Sequence, residues 1–427
     1  MNRNELHPDL NREFIEDLGS GVEQVDHAKC QNMWFVVPPS PPRNLPGGLS
    51  LKAVTEASAI IAAQPNIADA TELDRLVSYL FLRKEAVESS RMEGTLSTID
   101  QVLTPGEVFD DWKAKSEGAS VRGYAHALDE ELKRETSEGL AIFTVDLASR
   151  LHKEIMARDP KFRGIPGKVR ENPADIVYIL GKTQRLEESV YNPTPPRHVR
   201  RCLEQIMNWL RDVDFVRMGD AGMGIPLVVR MAIGHSHFEA VHPFSDGNGR
   251  VGRMLLSLQM ACHGKVPVYL SGFIEEEKPA YGLALQEAQK KLNYAPIVEF
   301  FAEALVASAR EARNTQEQIE NLSPTWMARG KFRKGSTAAR ALSWLLIHPI
   351  FTAKQLQEHF SVSPQAAHIA VELLQAKKIV RERTGFERNR VFAAEEVIAL
   401  LSRRFGSPPE VALEGALDLM AKAAIPD

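Results

Sequence analysis

Residues 242–253 read HPFSDGNGRVGR, directly after the apolar-rich run IPLVVRMAIGHSHFEAV. His242 is the group there suited to taking a proton near neutral pH. Asp246 is a hard oxygen ligand of the kind that holds Mg2+ against phosphates. Gly247 and Gly249 let backbone N–H groups converge on an anion. Apolar spacing resumes at Met254, Leu255 and Leu258, which predicts a helix from about Asn248. Its N-terminus would turn unpaired amide donors and a positive dipole end toward phosphate. Arg250 and Arg253, three apart, would share one face and grip successive phosphates. Phe244 reads as an anchor that pins the loop into the core. Base, metal carboxylate, anion cradle and cationic clamp are the parts that phosphoryl-group chemistry needs. The bland reading is a loop between two helices. A transition-metal site of His235, His237, His242 and Asp246 is a weaker competitor. A helix would turn His235 and His237 to different faces, and the metal gives the arginines no role.

The elements that must position this loop are mostly helical. Apolar residues recur at three- and four-residue spacing in LVSYLFLRKEAV, FTVDLASRLHKEIM, VRRCLEQIMNWL and IVEFFAEALVASA. The main interruption is 164–196, where the β-prone run DIVYIL, Gly181 and a proline cluster point to a small hairpin. Residues 1–48, with VVPPSPPRNLPGG, read as an extended arm. A helical domain is expected over 49–312 and a linker over 313–335. The pattern over 336–405 is helix, helix, turn, helix and two short strands, and 406–427 reads as one more helix. Helix–turn–helix followed by a β wing is the winged-helix plan, in which a helix enters the DNA major groove. Arg381, Arg383, Arg388 and Arg390 fall on that wing, where phosphates would meet them.

Bulk properties bound the classes. The chain has 427 residues, enough for two or three domains, and 25% charged residues, ordinary for a soluble protein. It has no run near the ~20 apolar residues a membrane span needs and no apolar core of a secretory signal at its start. A cytoplasmic protein without membrane association is therefore expected. Cys30, Cys202 and Cys262 are too few and too scattered for a disulfide framework or a thiolate metal site. Residues 331–405 hold 13 Lys/Arg against 6 Asp/Glu, a net +7, which leaves −11 for the rest of a chain that totals −4. An acidic body with a basic appendage points to two partners of different charge.

HPFSDGNGRVGR resembles the signature HPFx(D/E)GNGRxxR of Fic-domain proteins at every defining position. KEAVESSRMEGT, HSHFEAVHPF and the hairpin-and-proline region before Arg197 extend the likeness over most of residues 50–310. The resemblance implies a mainly all-α fold, a helical bundle with a β-hairpin flap, beside the winged-helix (α+β) domain. It further implies transfer of AMP from ATP, with Mg2+, to a Ser, Thr or Tyr hydroxyl of a target protein, with release of pyrophosphate. His242 would be the general base and Asp246 the metal ligand. Gly247, Asn248 and Gly249 would form the anion hole, with Arg250 and Arg253 on the outer phosphates. Tyr178, Ile179, Leu180 and Gly181 would belong to the flap that docks the target strand, and Tyr281 and Gln289 to the adenine pocket. Gly282 departs from a tyrosine frequent in relatives. Kinase-type relatives carry lysine where this chain has Gly249, which favours AMP transfer, with other phosphate-containing groups as alternatives.

SSRMEG, residues 89–94, matches the family's inhibitory motif (S/T)xxxE(G/N). By that resemblance Ser89 and Glu93 belong to a helix whose glutamate takes the guanidinium of Arg253 and holds ATP in an unproductive pose. The plain alternative is a surface glutamate at a helix end before a glycine cap. Removal of AMP from a modified protein, and a nucleotide-sensing DNA-binding regulator, stand as alternative functions. Homodimerisation is an expected property of this layout.

Overall fold

Helices dominate the chain, as the apolar spacing predicts, and the computed structural model describes residues 1–104, 116–181, 183–212, 225–384 and 390–422. Strands β1 (Gly21–Gln24) and β2 (Trp34–Val37) come first, then α1 (Leu51–Ala63), α2 (Glu72–Met92), α3 (Ile99–Leu103) and α4 (Glu117–Glu138). Next are α5 (Val145–Met156), α6 (Pro196–Arg211), α7 (Leu227–Val241), α8 (Asn248–Ala261), α9 (Lys278–Lys291) and α10 (Ala295–Gly330). The C-terminal part holds α11 (Thr337–Ile347), β3 (Ile350–Thr352), α12 (Ala353–Phe360), α13 (Pro364–Ala376), β4 (Arg381–Glu382), β5 (Val391–Ala393), α14 (Glu395–Ser402) and α15 (Pro409–Lys422). Two compact units result, Met1–Asp69 with His126–Ser308, and Ala70–Ala125 with Ala309–Asp427. Arg388 of the expected wing, residue 182 of the expected flap and 423–427 of the expected last helix lie outside the described residues.

In the first unit α7 is the central element. Its residues from Val228 to Val241 are all buried, which suits a helix that is apolar nearly all round. It packs against α8, α6, α9 and α1. The stripe Val199, Cys202, Leu203, Ile206, Met207 and Leu210 of α6 is buried at three- and four-residue spacing.

The arm expected over 1–48 is instead folded onto this unit. β1 pairs antiparallel with β2, and Val22, Phe35, Val36 and Val37 are fully buried. Val36 N–H donates to the carbonyl of Asn192 (3.0 Å), whose amide donates back to the Trp34 carbonyl (2.8 Å). The prolines that suggested an arm lie after β2, and there the Pro42 carbonyl accepts from the Trp209 indole (3.1 Å). The expected flap is a single antiparallel bridge, Ile179 to Tyr191, with a 3-10 turn at Leu186–Glu188.

In the second unit α2 starts on a capping box of Thr71 and Asp74. Its interior side carries Lys84, which donates to the Arg403 carbonyl (3.3 Å) and pairs with Glu88 (3.6 Å). The linker expected over 313–335 is helical as far as Gly330. Thr315, Ile319, Leu322 and Trp326 form a buried stripe along α10, and this stripe outweighs the cost of Pro324 inside the helix. Arg329 and the Trp326 indole both donate to the carboxylate of Glu396 on α14.

The C-terminal segment gains a strand not read from the sequence. β3, β5 and β4 form a three-stranded antiparallel sheet in that order. Arg381 and Arg383 donate to Glu395, and Arg383 also to Asp100 at 2.6 Å. Arg390 pairs with Glu382 at 3.3 Å. The exposed face of α13 carries His368, Ile369, Glu372 and Leu373, with His368 and Glu372 paired at 3.1 Å. No described helix is long and apolar enough to cross a membrane.

Candidate active site

The loop 242–247 joins α7 to α8, and bonds from distant segments fix its shape. His242 caps α7 in the left-handed region (φ 53°, ψ 63°), a conformation that costs a non-glycine residue on the order of 1 kcal/mol or more. Arg170 holds it there. Its Nε donates to the His242 carbonyl (2.8 Å), and its terminal nitrogens donate to the carbonyls of Val241 (3.1 Å), Thr194 (3.0 Å) and Asp175 (3.0 Å). Burial lowers the Arg170 pKa to about 10, with the Asp175 carboxylate opposing, so the guanidinium keeps its charge at neutral pH.

Further along, the Asn248 side chain closes the loop on Phe244, accepting from its N–H and donating to its carbonyl, both at 2.8 Å. The side-chain amide of Asn248 is thus fully engaged within the loop. Phe244 is fully buried and stacks on the His152 ring at 4.0 Å. His152 Nδ1 accepts from the Gly167 N–H (2.7 Å), so Nε2 carries the proton and donates to the Asp246 carbonyl (3.1 Å). Burial brings its pKa down to about 4, the Asp246 bond opposing and Arg250 adding, which keeps the ring neutral.

Gly247 begins α8 at φ 74°, where a Cβ would also stand 2.7 Å from the Met156 sulfur. The α8 first turn, Asn248 to Arg250, therefore starts with amide donors that a helix cannot satisfy internally. Asp246 is exposed, and one of its oxygens accepts from Gly247 N–H (2.6 Å). A carboxylate open to solvent beside such amides fits Mg2+, which typically binds through one or two carboxylates plus substrate phosphates.

The two arginines differ. Arg250 is buried, and its guanidinium donates to Asp159 (2.9 Å) and to the Met156 sulfur (3.1 Å). Arg250 thus reaches any phosphate from a guanidinium that already holds Asp159. Arg253 is buried one turn further along α8. Behind the loop, Glu239 is buried with Oε2 3.6 Å from His242 Nδ1. Burial alone would raise its pKa, but His242, His235 and Arg253 outweigh that and hold the carboxyl below its ordinary value.

His235 and His237 point to different tyrosines, as helical geometry predicts. His235 Nε2 meets the Tyr281 hydroxyl at 2.7 Å, and His237 Nε2 meets that of Tyr294 at 2.9 Å. Tyr281 and Gln289 are both buried on α9. Gln289 lines a cavity of about 10 Å³ with Pro38, Ser236 and His237, too small for an adenine ring, and Tyr281 is not among its walls. Tyr178, Ile179, Leu180 and Gly181 are partly exposed around the Ile179–Tyr191 bridge. In the other unit Ser89 is fully buried on α2, and Glu93 is the exposed C-cap residue before Gly94 (φ 79°). His152, Asp159, Arg170 and Glu239 were not read from the sequence as site residues. Glu239 alone left a local signal, three residues before His242.

Residues 142–260 match the Fic/DOC family, and residues 51–132 match the Fic/DOC family N-terminal region. These matches identify a Fic/DOC domain and its N-terminal region within the chain. Among curated relatives, a probable protein adenylyltransferase of Aquifex aeolicus is 33% identical over 117 residues, 26% of this chain and 34% of that one. A protein adenylyltransferase of Caenorhabditis elegans is 32% identical over 133 residues, 31% of this chain and 24% of that one. The matched region thus spans about a third of the first relative and about a quarter of the second. A Fic family protein of Desulfovibrio desulfuricans G20, known by crystal structure, is 18% identical with a TM-score of 0.48, covering 83% of this chain and 98% of that one.

Proposed function

We propose that the chain is a protein adenylyltransferase that moves AMP from ATP to a Ser, Thr or Tyr hydroxyl of a target protein. The observation that carries this reading is the 242–253 segment. It sets a histidine, an exposed carboxylate and a helix N-terminus within one loop, backed by Arg253 in the second turn of α8. When bound, Mg2+ at Asp246 would supply charge to the phosphates. The chain's own residues do the rest. The amides of α8 receive the phosphates, Arg253 neutralises them, and His242 takes the proton of the attacking hydroxyl. Arg250, engaged by Asp159, supports the fold of the loop and adds positive field. Residues 178–181 present the backbone on which a target segment docks by strand-like pairing. Glu93 restrains the reaction by occupying Arg253.

The ion pairs of Arg381, Arg383 and Arg390 suit the C-terminal unit to a protein partner better than to DNA phosphates. The test is incubation of the parent, Glu93→Gly and Glu93→Gly/His242→Ala chains with α-labelled ATP and a host lysate. Label on target or self is expected from Glu93→Gly, less from the parent and none from the double variant. Label that persists without His242, or none from Glu93→Gly with any nucleotide, overturns the reading.

A further inference from the structure

Beside the loop histidine, Nδ1 of His242 and Oε1 of Glu239 are both buried without a hydrogen-bond partner. Oε2 of Glu239 stands 3.6 Å from that nitrogen, within ion-pair range but outside hydrogen-bonding range, and Oε1 likewise makes no hydrogen bond. Both side chains are largely shielded from water, at 16% and 8% exposure. Three charged or titratable groups face the carboxylate: His242, His235 on the preceding turn of α7, and Arg253 from α8. Helix α8 also leaves room for it. A Cβ at Gly252 would stand 2.8 Å from Glu239 Oε1 and 3.2 Å from His235 Nδ1. Gly252 occupies a variable position of the signature, so phosphate binding gives no reason for a glycine there, whereas the packing of Glu239 does.

We propose that Glu239 is the positioning residue of His242. Its carboxylate accepts a hydrogen bond from Nδ1–H and so leaves Nε2 as the basic nitrogen. Contacts of this kind are often long before substrate binds and shorten in the reactive complex. Arg170 already fixes the His242 backbone, so only the imidazole torsions need to adjust. The chemical role rests on the AMP-transfer reading. As the target hydroxyl oxygen bonds to the α-phosphorus, its proton passes to Nε2. The bond from that phosphorus to the bridging oxygen breaks, and pyrophosphate leaves with the electron pair. The resulting imidazolium forms beside a buried carboxylate, where opposite charges attract more strongly than in water.

The test is Glu239→Gln in the full chain, which removes the charge and keeps the shape. The expected fall in kcat is about ten- to a hundredfold with the ATP KM nearly unchanged. The acid limb of the kcat profile should move to lower pH, because the imidazolium loses its counter-charge. Ring-nitrogen NMR, with His242 assigned by its loss in His242→Ala, should change from one Nδ1–H tautomer to a mixture. That readout needs no turnover. An enzyme that transfers nothing sinks the functional reading, while the tautomer still decides the role of Glu239. Should Glu239→Gln fail to fold, Gly252→Ala displaces the same carboxylate and should give the same mixture. Ring-nitrogen shifts that stay at the parent values in the folded variant overturn the proposal.

Discussion

The loop at 242–247 and the segment around Glu93 are built in opposite ways. The loop is over-determined by side chains far away in sequence. Arg170 holds its first residue, His152 its carbonyl at Asp246, and Asn248 closes it internally. Glu93 instead ends a helix at the surface with a glycine directly after it. Its segment is held close by, where the Leu96 N–H donates to Glu117 (2.9 Å), and further out by Lys84 on the Arg403 carbonyl and Asp100 on Arg383. The loop is thus held where charge must be met in a set geometry, and the residue read as the restraint sits exposed on the short joint between α2 and α3.

The largest expected effect tests the rigid side. His242→Ala should lower transfer by a thousandfold or more, roughly 4 kcal/mol or more of transition-state stabilisation. Single-turnover transfer in the Glu93→Gly background measures it. A drop below about tenfold would mean that the loop is a structural junction, and the contrast with Glu93 would lose its basis.

Acid stability comes next. His237 is buried against Tyr294 with its pKa brought down to about 4 by burial. The unfolded chain titrates near 6.5, so between pH 6.5 and 4 it binds more protons than the folded one. Stability from this residue is complete above 6.5 and falls with pH, by about 3 kcal/mol at pH 4. Urea unfolding at several pH values should show this slope in the parent and a flatter one in His237→Gln. An equal slope in both would place the acid-sensitive groups elsewhere.

Glu93→Gly should raise transfer by about tenfold or more, which corresponds to roughly 1.4 kcal/mol of restraint. The same variant should stay folded, with a melting transition as sharp as the parent's. Activity that stays level while the His242→Ala effect holds would leave Glu93 as a plain helix end.

What could be read from the sequence follows the same divide. The loop was legible because its chemistry is contiguous, with base, carboxylate, glycines and arginines in twelve residues whose spacing alone places them. The side chains that set its shape were not, because His152, Asp159 and Arg170 reach it across 94, 91 and 72 residues of chain. Local composition misled twice through proline. The run after β2 made a buried hairpin look like an arm, and Pro324 made a helix with a buried stripe look like a linker. β3 escaped because three residues carry no readable alternation. The wing arginines were visible as charge, but their acidic partners Glu395 and Asp100 meet them only in the fold.

The smallest effect sharpens the comparison most. Arg383 and Asp100 are both partly solvent-exposed, so breaking their pair should cost under about 1 kcal/mol of stability. Yet Asp100 lies on α3, the first helix after Glu93, and α14, whose Glu395 holds Arg383, packs against both α2 and α3. Asp100→Asn keeps the size of the side chain and removes the charge that draws Arg383. Loosening that side of the joint should let Glu93 leave its restraining position more often and raise basal transfer a few-fold. The rise should stay below that of Glu93→Gly and should vanish in the Glu93→Gly background, because a restraint already removed cannot be loosened further. Additive effects in the double variant would separate Asp100 from Glu93. A matched, non-additive pair would make Asp100 and Glu93 parts of one restraint.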